Sequence, residues 1–196
     1  MTLIKICGVT HPDDAAYAAQ AGAERIGFIL WEGSKRGVTL EQAKKIVAAC
    51  RAFHAEPIPV FVKGDQIEEI SLELGVETIQ LHGAEAKQMV KKLVFKRVCA
   101  VSPFDKEYPN CEYLLFDNAK GGSGISFDWS TFTPPTNIPW ILAGGITCAN
   151  VVRAIEQLQP YGIDVSTGVE ISGTVRKDKT LIKTLIALVK EADNAK

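Results

Sequence analysis

The sequence predicts an α/β fold: a single (β/α)8 barrel over residues 1–196, a TIM barrel with a degenerate or missing fifth helix. Short β-rich runs alternate with amphipathic stretches, and the strand-like runs number eight. The glycine clusters fall late, at Gly121, Gly122 and Gly124, then Gly144 and Gly145, then Gly168. An open doubly wound sheet would instead carry its phosphate turn after the first strand, and Cys7-Gly8-Val9-Thr10 lacks that fingerprint. A typical barrel has about 250 residues, and a chain of 196 fits once the fifth and sixth crossovers are shortened.

The first strand is LIKIC at 3–7, followed by an Ala-rich helix from Pro12 to Ala21. RIGFIL at 25–30 precedes a helical pattern over Leu40 to Phe53, PIPVFV at 57–62 precedes Gln66 to Leu74, and TIQLH at 78–82 precedes Glu85 to Leu93. KRVCAV at 96–101 and YLLFD at 113–117 are separated by only eleven residues with two prolines, which leaves a missing or stub helix. After the sixth strand comes the Gly-rich GGSGISFDW, then one helical turn near Asp128 to Phe132 before Pro134 and Pro135. PWILAG at 139–144 leads to a helix over Ala149 to Leu158, and GIDVS at 162–166 to one over Thr180 to Ala192.

Composition narrows the function. Lys plus Arg number 22 against 23 Asp plus Glu, a net charge of −1 that offers a polyanion nothing, so nucleic acid is not an expected partner. The five cysteines are odd in number and form no CxxC pair, which argues against a disulfide framework or zinc cluster and for a reducing cytoplasm. MTLIKICGVT lacks a basic leader, and no apolar run reaches spanning length, so no membrane association is expected. His11, His54 and His82 lack ligand spacing, and no metal site is expected. Monomer and homodimer are both open.

In a parallel barrel the chemistry gathers at the carboxyl ends of the strands. Those ends are polar here: Cys7, Gln80 with His82, Asp117, and Asp164 with Ser166. Period-two alternation puts Lys5 with Cys7, Gln80 with His82, Leu115 with Asp117, and Asp164 with Ser166 on common faces. The plainer alternative is that these residues only mark strand ends near water. Ala143-Gly144-Gly145 and Ser166-Thr167-Gly168-Val169 follow strands seven and eight, where barrels offer backbone N–H groups to a phosphate. A small phosphorylated molecule is therefore the expected ligand.

Asp117 beside the loop containing Gly122 suits proton transfer, and Cys7 could act as a thiolate whose pKa a nearby Lys5 lowers. A lone interior ammonium is costly, and barrel closure makes strands one and eight neighbours, so Asp164 is the expected partner of Lys5; otherwise Lys5 reaches water at the barrel floor. Arg36, in the loop after strand two, could clamp a carboxylate with its planar fork.

Together these segments resemble the phosphoribosylanthranilate isomerase family of tryptophan biosynthesis over nearly the whole chain. The resemblance is carried by Lys5-Ile-Cys-Gly-Val-Thr10, by Gln80-Leu-His-Gly83 with Glu85, and by Leu115-Phe-Asp117 with Gly121-Gly-Ser-Gly124 and Phe127-Asp-Trp129. Leu142-Ala-Gly-Gly145 with Asn150-Val151, and Asp164-Val-Ser-Thr-Gly-Val-Glu170 with Lys177-Asp178, complete it. It implies Cys7 as general base, Asp117 as general acid, Arg36 as the holder of the anthranilate carboxylate, and a cofactor-free Amadori rearrangement. The chain departs from the family's usual pattern at Lys35 and Cys148, where proline is common, and over Ser172 to Arg176. The rival readings are a histidine-pathway or dual-substrate aldose-ketose isomerase, whose barrels usually have aspartate at the position of Cys7, and a non-catalytic phosphate-binding barrel.

Overall fold

The computed structural model describes residues 1–63, 66–83, 88, 94–105, 107–117 and 128–195. Eight parallel strands close into a barrel in chain order: β1 (Leu3–Ile6), β2 (Arg25–Ile29), β3 (Glu56–Phe61), β4 (Thr78–Leu81), β5 (Lys96–Val101), β6 (Tyr113–Phe116), β7 (Trp140–Leu142) and β8 (Gly162–Val165). The closing seam pairs β1 with β8 and sets Lys5 opposite Asp164. Most strands end a residue or two before the hydrophobic pattern does. The next residues still donate one ladder hydrogen bond each, Cys7 to Val165, His82 to Phe61 and Asp117 to Val101, so the alternation of faces carries their side chains into the barrel mouth.

The described helices are α1 (Pro12–Ala21), α2 (Leu40–Ala52), α3 (Ile67–Leu74), α4 (Val151–Leu158) and α5 (Lys179–Asn194). Their start signals are local. Thr39 and Gln42 form a reciprocal capping box ahead of α2, and the Asp178 carboxylate accepts from Thr180 and Leu181 N–H ahead of α5. No helix forms among the described residues between β5 and β6, and the sixth crossover holds a 3-10 turn, Trp129–Thr131. Both are the shortenings the prolines and chain length require. Apart from residue 88, the helix expected over Glu85 to Leu93 lies outside the described residues, as does the Gly-rich loop with Gly122.

One apolar core lies between the strands and the helices; a smaller one, Val98, Ala100, Leu115, Ile141 and Ala143, fills the barrel itself. Below it, toward the amino ends of the strands, Arg25 binds Glu56 at 2.7 Å and stacks over Tyr113, while Thr78 donates to the same Glu56. The amino end of the barrel thus carries a polar layer, at the opposite end from the carboxyl ends of the strands.

Candidate active site

A cavity of about 320 Å³ opens at the carboxyl ends of the strands, within the range that holds small ligands. Cys7 of the β1 end and Asp117 of the β6 end both line it. So do the face-sharing pairs Gln80 with His82 and Asp164 with Ser166, the loop glycines Gly144, Gly145 and Gly168, and Arg36. Ten of the sequence-derived site residues therefore meet in one space, and Gly122 lies outside the described residues. Trp31, Ile29 and Val60 give the cavity an apolar side that sequence reasoning did not single out.

Cys7 stands above a buried ion pair. Lys5 Nζ lies 3.0 Å from Asp164 Oδ1, with Lys5 fully enclosed, so the alternative of a solvated lysine at the barrel floor is excluded. Gly27 on β2 makes room for this group: a β-carbon there would lie 2.6 Å from Cys7 Sγ and 3.0 Å from Lys5 Nζ. A glycine within an apolar strand was the available signal, and it was missed. Burial is the largest single influence and works against the Lys5 ammonium, but the charges of Asp164 and Cys7 and hydrogen bonds to both together outweigh it and raise the Lys5 pKa. The thiol moves opposite to expectation. Burial and the Asp164 charge push Cys7 up; Lys5 pulls it down, as foreseen, but less strongly.

Arg36 is buried, not a solvated surface arginine. Its stem passes over Gly8, where a β-carbon would lie 2.5 Å from Arg36 Cδ and 2.8 Å from Ser166 Oγ. Ser34 Oγ accepts the Arg36 N–H at 3.1 Å, and Ser34 carbonyl accepts the Gly37 N–H at 2.8 Å, so a side-chain-assisted turn shapes the loop without a proline at Lys35. The guanidinium donates from Nε to Glu170 Oε1 at 2.6 Å, and from Nη2 to Glu170 Oε2 at 3.0 Å and Thr167 Oγ1 at 2.9 Å. Lys177 Nζ reaches the same carboxylate at 3.0 Å. The fork is thus filled on one side by a carboxylate of the chain itself. Burial alone would raise Glu170, but hydrogen bonds from Arg36 and the charge of Lys177 hold it below the usual carboxylate range, while burial pushes Lys177 down. Glu170 and Lys177 were not singled out as site residues.

The loops after β7 and β8 converge. Gly144 and Gly145 adopt φ of 80° and 69°, which favours glycine and turns their backbone into the cavity wall. A β-carbon on Gly168 would run into the Ile146 carbonyl, so the two loops touch only because that residue is glycine. Asn150 ties the first loop, accepting from Thr147 N–H and donating to Gly145 carbonyl, both at 2.8 Å. The N–H groups of Gly144, Gly145, Thr167 and Gly168 make no hydrogen bond to a described residue, and Gln80 Oε1 is buried without a partner among them. Where the chain departs from the usual pattern after β8, Ile171 and Arg176 close a turn through a 2.9 Å backbone bond, and Arg176 forks onto Asp14 at 2.8 Å.

A model of the family "N-(5'-phosphoribosyl)anthranilate (PRA) isomerase" matches residues 4–187. The chain belongs to that family. It is 41% identical to the N-(5'-phosphoribosyl)anthranilate isomerase of Chlamydia felis over 198 residues, covering 95% of this chain and 96% of that one. Among solved structures it resembles the phosphoribosyl anthranilate isomerase of Thermotoga maritima, with a TM-score of 0.82, 29% identity, and 97% and 100% of the two chains covered. A phosphoribosyl anthranilate isomerase in complex with reduced 1-(o-carboxyphenylamino)-1-deoxyribulose 5-phosphate superposes with a TM-score of 0.80 at 28% identity, over 97% and 100%. As in these phosphoribosylanthranilate isomerases, the frame is a closed barrel. No described helix is long and apolar enough to cross a membrane.

Proposed function

We propose that this chain rearranges N-(5'-phosphoribosyl)anthranilate to 1-(2-carboxyphenylamino)-1-deoxyribulose 5-phosphate, with Cys7 as general base and Asp117 as general acid. The observation that carries this reading is the opening of a thiol and a carboxyl group, from β1 and β6, into one cavity that also holds two loops whose N–H groups make no hydrogen bond to a described residue. Asp117 protonates the furanose ring oxygen, so the ring opens to an iminium. The positive nitrogen acidifies the adjacent sugar carbon, and Cys7 removes its proton to leave an enolamine, which tautomerises to the ketone. Burial and the Asp164 charge raise the Cys7 pKa and so make its thiolate a stronger base, while Lys5, more weakly, favours the thiolate form.

The phosphate fits the backbone of Gly144, Gly145 and Gly168 with Ser166, where N–H groups are unspent. The anthranilate carboxylate fits Arg36 through Nη1, and the aromatic ring fits the apolar side at Trp31. Gln80, whose Oε1 has no partner among the described residues, and His82 face the sugar between these anchors. Fixing both ends of the substrate holds the reacting carbon between base and acid. Residues 1–196 fold as one barrel domain, and its five free thiols suit a reducing cytoplasm. Either a monomer or a homodimer can carry it, since the described site residues come from one chain; one solved relative is a generated monomer of the dimeric phosphoribosylanthranilate isomerase of Thermotoga maritima.

The test is to follow the loss of fluorescence of freshly generated substrate with wild type, Cys7→Ala and Asp117→Ala. Each variant is expected to lose about 10²–10⁴-fold in kcat while binding the product analogue nearly as well. Wild-type turnover in either variant refutes the assignment of that residue.

A further inference from the structure

The Arg36 guanidinium has a resident partner that the proposed reaction does not use. Three of its five N–H donors are committed, Nε and one Nη2 proton to the two oxygens of Glu170 and the other Nη2 proton to Thr167. A two-point fork fixes both the plane of the group and its rotation in that plane. Nη1 makes no hydrogen bond to a described residue and is the edge left over.

Glu170 is itself held. Lys177 Nζ donates to its Oε1 at 3.0 Å and to the Ser166 carbonyl at 3.2 Å, and an antiparallel bridge joins the two residues through the backbone. All three side chains are nearly enclosed, at 6% for Arg36, 5% for Glu170 and 0% for Lys177, so water does not compete for these contacts. The chain thus spends a buried carboxylate and a buried ammonium, both from the segment after β8, on a side chain that starts after β2.

We propose that Glu170 is a positioning residue for Arg36, aligning the guanidinium so that its Nη1 edge meets the carboxylate of the substrate. The inference rests on the reading of Arg36 given above. Glu170 reaches the substrate carboxylate through Arg36, so the larger part of its effect falls on ligands that carry that carboxylate, and only the smaller part, through Lys177 and Ser166, on the phosphate end. A mere counter-ion or loop prop would affect all phosphate-bearing ligands alike.

The experiment measures calorimetric binding of two probes to wild type, Glu170→Gln, Arg36→Met and the double variant. One probe is reduced 1-(o-carboxyphenylamino)-1-deoxyribulose 5-phosphate; the other is the same compound without the carboxyl group. Glu170→Gln is expected to weaken the first probe about 10- to 100-fold and the second less than about 3-fold, with KM rising more than kcat falls. The double variant should bind the first probe no more weakly than Arg36→Met alone. Equal loss for both probes in Glu170→Gln, or full additivity in the double variant, overturns the proposal. Wild-type discrimination between the probes in Arg36→Met overturns the carboxylate role of Arg36 and the proposal with it; wild-type discrimination in Glu170→Gln alone overturns only the proposal. Should the glutamine variant not fold, Glu170→Asp keeps a charge for Lys177 but not the two-point reach to Arg36, and it is expected to show the same selective loss.

Discussion

Lys5 was legible as an interior residue because alternation tied it to Cys7, and its partner was legible because closure of eight parallel strands makes the first and last neighbours. A buried ion pair is more costly to break than to replace, since removing one partner strands the other charge. Lys5→Met is therefore expected to lower unfolding stability by about 3–5 kcal/mol, and Lys5→Met with Asp164→Leu by clearly less, both measured by urea denaturation. The Arg36 partners were not legible in the same way. Glu170 and Lys177 lie in an irregular segment 134 and 141 positions from Arg36, outside any strand or helix whose period would assign them a face. The direction of the Cys7 shift was missed because the sequence shows the adjacent cation but not how far burial outweighs it.

At the scale of elements, the short crossovers were legible because eleven residues with two prolines cannot hold a regular helix and its turns. Strand ends were not, since the residue that leaves the ladder keeps the same apolar-polar alternation as the residue that stays; β7 stops at Leu142, two residues before the pattern does. The two phosphate-loop candidates were placed correctly by strand count, but their mutual contact depends on the approach of Gly168 to the Ile146 carbonyl. Gly168→Ala has no flexible side chain to displace, only backbone. It is expected to cost about 1–3 kcal/mol in urea denaturation and to weaken inorganic phosphate binding, read by calorimetry. Unchanged phosphate affinity in a destabilised variant would separate the β8 loop from the ligand site.

Across the whole molecule, contacts between distant segments close the cylinder. Thr2 donates to Asp193 of α5, and Asp14 of α1 receives both arms of Arg176 and the Lys177 backbone N–H. Burial alone would raise the Asp14 carboxyl, but Arg176 and Lys177 N–H hold it below its ordinary 3.8. This stabilisation is fully present above pH 3.8 and is lost as pH falls through the depressed value. Asp14→Asn is expected to be less stable at pH 7 and to lose less further stability between pH 5 and 2 than wild type, as measured by thermal melts across that range. An equal acid loss in both proteins would place the acid-sensitive charge elsewhere. The sequence by itself determined the barrel and its polar carboxyl ends, because strand count, alternation and breakers act over a few residues at a time. Only the tertiary structure decided how Arg36 is held, why Gly27 is bare, and which way the Cys7 thiol shifts. Those depend on burial and on charges far apart in the chain, which exist only once the cylinder has closed.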